Sequence, residues 1–187
     1  MYFRNQSFFV FGLSLSGRAA AKKLRSLGAE VYVYDDGAPR IEKTVSDLLK
    51  SGCKSALGDP RGGIDACDAV ILSPGIPVDN ELAVYAKKAG KRVIGELELG
   101  YLLSKATFLC VTGTNGKTTV CSLIKQTLDD AGEKSELVGN IGVPLTERCD
   151  ELNDFKIAVT EVSSFQLETV HSLTPHVAVV LNVTPDH

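Results

Sequence analysis

The run Gly113-Thr114-Asn115-Gly116-Lys117-Thr118-Thr119 combines the residue types needed to hold a polyphosphate. Its glycines let backbone N–H groups curl around phosphate oxygens. Lys117 supplies a point charge for the β- and γ-phosphates, and Thr118 offers a hydroxyl to Mg²⁺. The full P-loop pattern would put a further glycine where this chain has Val111, so the loop is a shortened version. A metal-binding acid belongs at the end of a neighbouring buried strand. Glu161, after the apolar run 157–160, stands in such a place, although an acid there can also be merely solvated. His187 likewise follows an apolar run, 177–181, and only its neighbours argue for it. Asn140, in Gly139-Asn140-Ile141-Gly142, reads either as a turn residue or as a polar contact for substrate.

A second glycine turn, Gly12-Leu13-Ser14-Leu15-Ser16-Gly17, lies between a strand and a helix, where G-x-G-x-x-G belongs in a dinucleotide site. Ser14 replaces the glycine that lets backbone approach a pyrophosphate, and Asp35 stands where a ribose-binding acid would be. Three readings stay open. The turn is a plain strand-to-helix connection, or a diphosphate site at a helix N-terminus with Ser16 as an added donor, or the nicotinamide site of an oxidoreductase. His171 and His176, beside a proline turn, read as structural or exposed.

The elements that must position these residues alternate between short apolar strands and helix-period segments, which predicts parallel α/β architecture. Strands are expected at 7–11, 31–34, 68–72, 92–94, 107–111, 157–160 and 177–181. Helices are expected at 17–27, 41–51, 80–89, 96–104 and 117–131. In the second of these, Ile41, Val45, Leu48 and Leu49 share one face; in the last, Val120, Leu123, Ile124 and Leu128 point inward. The pattern implies a Rossmann-like parallel-sheet domain over 1–95, then a P-loop-type mononucleotide-binding α/β domain over 96–187. The second unit has only three expected strands, so it reads as incomplete and the chain as a fragment.

Composition narrows the class. A net charge of −3 with no basic cluster argues against nucleic-acid partners. No apolar run reaches membrane-spanning length, and five widely spaced cysteines without a Cys-x-x-Cys pair read as reduced thiols. The expectation is a soluble cytoplasmic protein.

Four segments, taken in order, resemble the Mur ligases of peptidoglycan synthesis: Gly113 to Thr119, Gly139 to Gly142, Glu161-Val162-Ser163-Ser164-Phe165-Gln166-Leu167-Glu168, and Asn182 to His187. The loop alone is shared with folylpolyglutamate synthetases. The 161–168 segment, the front domain and Ser73-Pro74-Gly75-Ile76-Pro77 upstream resemble the branch that adds D-glutamate.

The resemblance implies a monomeric three-domain ligase using ATP and Mg²⁺, with a front domain for the UDP moiety and a rear domain absent from this chain. Its substrates would be UDP-N-acetylmuramoyl-L-alanine and D-glutamate, with no nucleic acid or membrane partner. ATP would phosphorylate the L-alanyl carboxylate, and the D-glutamate amine would attack the acyl phosphate. Carried over by resemblance, Gly113, Thr114, Asn115, Gly116, Lys117, Thr118 and Thr119 bind the nucleotide. Thr118 and Glu161 serve one Mg²⁺ and His187 a second; Lys117, Glu161 and His187 form the catalytic group. Leu15, Ser16 and Gly75 lie near the uridine diphosphate, and Asn140 and His187 near the sugar diphosphate. Asp36 takes a uracil-side place usually filled by Thr, with Gly37 where Arg often stands, so uracil recognition departs from the family pattern. The family's carbamylated lysine lies beyond the last residue, and the chain alone is expected to lack turnover, leaving a UDP-ligand-binding module.

Overall fold

The computed structural model describes residues 3–37, 41–152 and 156–185. Among these, the chain lays down β1 (Ser7–Phe11), α1 (Leu15–Ser26), β2 (Glu30–Tyr34), α2 (Glu42–Lys50), β3 (Lys54–Ser55), α3 (Pro60–Asp65), β4 (Ala69–Leu72), α4 (Glu81–Lys88) and β5 (Arg92–Gly95). The strands pair in parallel in the order β3-β2-β1-β4-β5. β1 sits in the middle and is apolar on both faces because helices cover both sides of a parallel sheet. Period-2 alternation then divides it: Phe8 and Val10 enter one core cluster, Phe9 and Phe11 the opposite one.

A second parallel sheet follows. It is built from α5 (Glu96–Leu103), β6 (Thr107–Thr112), α6 (Lys117–Asp130), β7 (Ser135–Gly139), α7 (Leu145–Arg148), β8 (Ile157–Glu161), α8 (Ser164–Leu167) and β9 (Val177–Val180), in the order β7-β8-β6-β9. The fold class expected from the sequence is therefore observed, with four described strands here rather than three. β7 was missed because Ser135-Glu136-Leu137-Val138-Gly139 carries too few apolar residues to read as a buried strand. The two exposed residues of β3 and the short α3, α7 and α8 left no periodic signal either. Two inward assignments also change. Leu123 is 62% exposed, while Val120, Ile124 and Leu128 pack as expected; Leu49 is exposed, while Val45 and Leu48 are buried.

α5 joins the two layers. Leu99 packs into the first core and Leu97 into the second. Its two acids are buried. Glu96 accepts hydrogen bonds from the Thr146 backbone N–H and hydroxyl, both at 2.7 Å. Burial pushes the Glu96 carboxyl above its ordinary value, against the lowering effect of those bonds. Glu98 accepts from the N–H groups of His171, Ser172 and Leu173. A Lys23–Asp150 ion pair ties α1 to the turn after α7.

The first turn of α1 is pressed against the β1 turn, and this fixes Gly17. A Cβ there would collide with the Gly12 carbonyl oxygen and come within 2.6 Å of Ser73 Oγ. Gly17→Ala is expected to destabilise the protein by about 1–3 kcal/mol, as overpacking of a tight contact does. A urea titration reads this directly, and an unshifted midpoint would mean that the helix start can move away freely.

Candidate functional site

Both glycine turns lie at the carboxyl ends of central strands, β1 and β6, where ligands dock in open α/β sheets. After β6 the chain turns through Gly116, whose φ of +86° favours a residue without a side chain, and enters α6. The first turn of that helix contains no acid, so its N–H groups and dipole favour an anion. Lys117 Nζ folds across the loop and donates to the carbonyls of Gly113 (2.7 Å) and Thr114 (2.9 Å). Thr119 sits exposed in the same helical turn.

Sheet register brings the acid to the loop. β8 pairs Glu161 with Val111 on one side and with Gly139 on the other. Glu161, 1% exposed, therefore lies under the loop with Asn140 next to it. Its Oε2 accepts from Thr118 Oγ1 at 2.8 Å, and its Oε1 accepts from Asn140 Nδ2 at 2.8 Å. The Asn140 backbone N–H also donates to the Glu161 carbonyl at 2.8 Å. Below this set lies Cys121, whose thiol is pushed to about 11 by burial and then by the Glu161 charge. All five cysteines are buried and unpaired, as the sequence suggested.

A cleft of about 630 Å³ opens over the loop, lined by Thr112, Lys117, Asn140, Phe165, Asn182 and Thr184 among others. Phe165 is 58% exposed, held on α8 by a capping box between Ser163 and Gln166. Sequence reasoning gave no individual part to Phe165 or Asn182. Their signal was membership of two resembling segments, which does not say what each side chain touches. His187 lies outside the described residues.

The first glycine turn is braced by its neighbours. Ser73 Oγ donates to the Gly12 carbonyl (2.7 Å), which brings the 73–77 turn against it. Asp35 accepts from the N–H groups of Leu13 and Gly37, both at 2.7 Å. These two bonds make Asp35 a strut for the turn. Asp36 accepts from the Tyr34 hydroxyl at 2.7 Å, and this bond holds the phenol up at about 12. Ser14 caps α1 without a side-chain hydrogen bond, and no acid follows in the first turn. Leu15 and Ser16 thus open α1, Asp36 follows β2 and Gly75 follows β4, all at the carboxyl edge of the first sheet. The structure groups Thr118, Glu161 and Asn140 by hydrogen bonds beneath the second sheet's loop and sets these four residues along the first sheet's edge.

Two parallel sheets, each with a glycine turn at the carboxyl end of a central strand, define the α/β class of protein in which ligands dock at such turns. Comparison with known proteins goes further. Residues 111–187 match the Mur ligase middle domain. Over 99% of its length the chain is 41% identical to the UDP-N-acetylmuramoylalanine–D-glutamate ligase of Pelotomaculum thermopropionicum, of which it covers 41%. It is 42% identical to the ligase of the same name from Streptococcus mutans, again over 99% of this chain and 42% of that protein. The chain thus spans about two fifths of the length of the curated relatives it matches. A crystal structure of a murein peptide ligase from Psychrobacter arcticus covers 97% of this chain and 44% of its own, with a TM-score of 0.54 at 18% identity, a likeness of fold. Residues 111–187 thus belong to the Mur ligase family, and the chain as a whole is similar to its members. The oxidoreductase reading of the first glycine turn gives way to this one. Among the described residues no helix is long and apolar enough to cross a membrane.

Proposed function

We propose that the chain forms the front part of an ATP-dependent ligase that adds D-glutamate to UDP-N-acetylmuramoyl-L-alanine in cytoplasmic peptidoglycan synthesis. The observation that carries this reading is the hydrogen-bonded set Thr118–Glu161–Asn140 directly under the glycine loop. The names of the relatives and the middle-domain match support it. On this reading residues 1–95 hold the UDP moiety, residues 96–187 begin the ATP-binding unit, and the full-length protein acts as a monomer.

The residues present fit Mg²⁺. Thr118 and Glu161 offer oxygen donors side by side, and Mg²⁺ is commonly held by one or two protein oxygens together with water and phosphates. Among the described residues no group of three or more His, Cys, Asp or Glu could hold a metal alone, which suits an ion completed by ATP oxygens. Mg²⁺ bound there would neutralise charge on the phosphoryl oxygens. His187 is assigned to a second ion and, with Asn140, to the sugar-diphosphate side. Leu15, Ser16, Asp36 and Gly75 are assigned to the uridine diphosphate; Tyr34 engages one Asp36 oxygen and leaves the other for the uracil.

A carboxylate is a poor electrophile, so the γ-phosphoryl group of ATP passes first to the L-alanyl carboxylate. The D-glutamate amine then attacks the acyl phosphate and phosphate leaves. Lys117 and the N–H groups at the start of α6 hold the nucleotide phosphates in line, so the protein's part is positioning and charge stabilisation. No covalent nucleophile is needed, and the buried thiols fit that.

Calorimetric titration of the full-length protein with UDP-N-acetylmuramoyl-L-alanine and, separately, NADH tests the assignment. The UDP substrate is expected to bind and NADH to give no heat. Micromolar binding of NADH without a response to the UDP substrate would overturn it.

A further inference from the structure

We infer that Asn182 is a positioning residue for nucleotide turnover, setting which N–H groups of the 113–116 loop face the phosphates; this rests on the reading of that loop as the ATP site. Leu181 extends the β9 ladder by donating its N–H to the Thr112 carbonyl at 3.0 Å, which delivers Asn182 beside the loop. The Asn182 carboxamide then clasps the backbone of Asn115. Oδ1 accepts from the Asn115 N–H at 2.9 Å, and Nδ2 donates to the Asn115 carbonyl at 3.0 Å. The Asn182 backbone carbonyl accepts from the Thr114 N–H at 3.1 Å. The Thr114 hydroxyl completes the seam, donating to the Thr184 carbonyl (3.1 Å) and accepting from the Thr184 N–H (3.0 Å).

A phosphate loop works by directing N–H groups at its ligand, so an N–H spent elsewhere is as informative as one left free. Here Thr114 and Asn115 turn theirs toward residue 182, which leaves those at the start of α6 to face the cleft. An amide side chain is the group that can both accept from and donate to one residue's backbone with a planar pair of atoms. Leucine, similar in size, offers neither bond. Aspartate keeps the acceptor, loses the donor and sets a negative charge beside the phosphates. Asn182 does not itself reach the reacting atoms in this account; it acts through Asn115.

The test is steady-state kinetics of the full-length protein with Asn182→Leu and Asn182→Asp. Thermal midpoints and UDP-substrate affinity are measured in parallel. Misplacing catalytic groups by about 1 Å can cost on the order of a hundredfold, so ATP-dependent turnover in Asn182→Leu should fall by roughly that factor. Asn182→Asp should also fall, chiefly through a higher KM for ATP. The UDP-substrate affinity of both should stay within about twofold, since a role confined to the loop leaves the first sheet untouched. Unchanged ATP kinetics in Asn182→Leu, alongside an active wild type, would overturn the inference alone. Parallel loss of UDP-substrate binding and a collapsed midpoint would also overturn it, in favour of a general structural role. A wild-type protein that binds the UDP substrate but never turns over ATP would overturn the loop's assignment, and this inference with it.

Discussion

Lys117→Ala in the full-length protein is expected to cut ATP-dependent ligation by a factor of about 10²–10³, the usual loss when a preorganised donor to a developing charge is removed. The side chain is already held over the loop by the carbonyls of Gly113 and Thr114, so little ordering is needed for it to meet a phosphate oxygen. Those two carbonyls are loop acceptors that would stay accessible to water, so the variant should fold normally. Lys117 makes no bond to the first sheet, and UDP-substrate binding should be nearly unchanged. Rapid-quench measurement of phosphoryl transfer, with calorimetry of the UDP substrate, separates the two effects. A variant keeping most of its turnover would mean that the loop does not hold the transferred phosphoryl group. Arginine is a useful control, since it keeps the charge but not the compact shape of an ammonium.

The strands that could be read in the sequence share an apolar run bounded by turn residues. Such a run marked even β9, although it lies largely exposed at the edge of its sheet rather than buried as the run suggested. β1, β4 and β8 are short apolar runs bounded by turn residues, and a parallel sheet requires such runs. β7 escaped because it lies at the edge of its sheet, where one side is open and polar residues are tolerated. Its absence from the sequence reading mattered for the site. The pairing of Gly139 with Glu161 is what turns Asn140 toward the carboxylate, and no motif states a register. Leu123 was misassigned for a related reason. Helical periodicity marks an apolar stripe, while the sheet beneath decides how much of the stripe is covered. The phosphate loop was legible because its chemistry is local, held in seven adjacent residues between a strand and a helix. The clasp by Asn182 was not, because its two ends are separated by 67 positions. The bracing role of Asp35 was equally hidden, since Leu13 lies 22 positions away. Asp35 stands where a ribose-binding acid would be, and its oxygens also accept from the backbone of Leu13 and Gly37.

Glu98 carries the largest expected stability effect, and nothing in the sequence marks it beyond its being an acid in the first turn of a helix. It is fully buried, 0% exposed, at the junction of the two sheets. Oε1 accepts from the Ser172 N–H at 2.8 Å, while Oε2 accepts from those of His171 and Leu173, each at 3.1 Å. Arg92 stands 3.6 Å away, a weaker contribution because the arginine is partly in solvent. The carboxylate thus replaces the backbone acceptors that residues 171–173 lack, and it fastens the segment between α8 and β9 to α5. Glu98→Ala removes the acceptor for three N–H groups and opens a cavity. At about 1–3 kcal/mol for each donor left unpaired, and with partial relief from water at the exposed His171 and Ser172, a loss of roughly 3–5 kcal/mol is expected. Glu98→Gln is the sharper probe, since it keeps the volume and discards the charge. Its amide nitrogen must face either the Ser172 N–H or the pair from His171 and Leu173, setting donor against donor whichever way it turns. The glutamine variant should therefore still lose about 2–3 kcal/mol, which guanidinium unfolding of both variants would measure. A glutamine variant within about 0.5 kcal/mol of wild type would show that water already satisfies the 171–173 backbone. The junction would then rest on Leu97, Leu99 and the Glu96–Thr146 bonds instead.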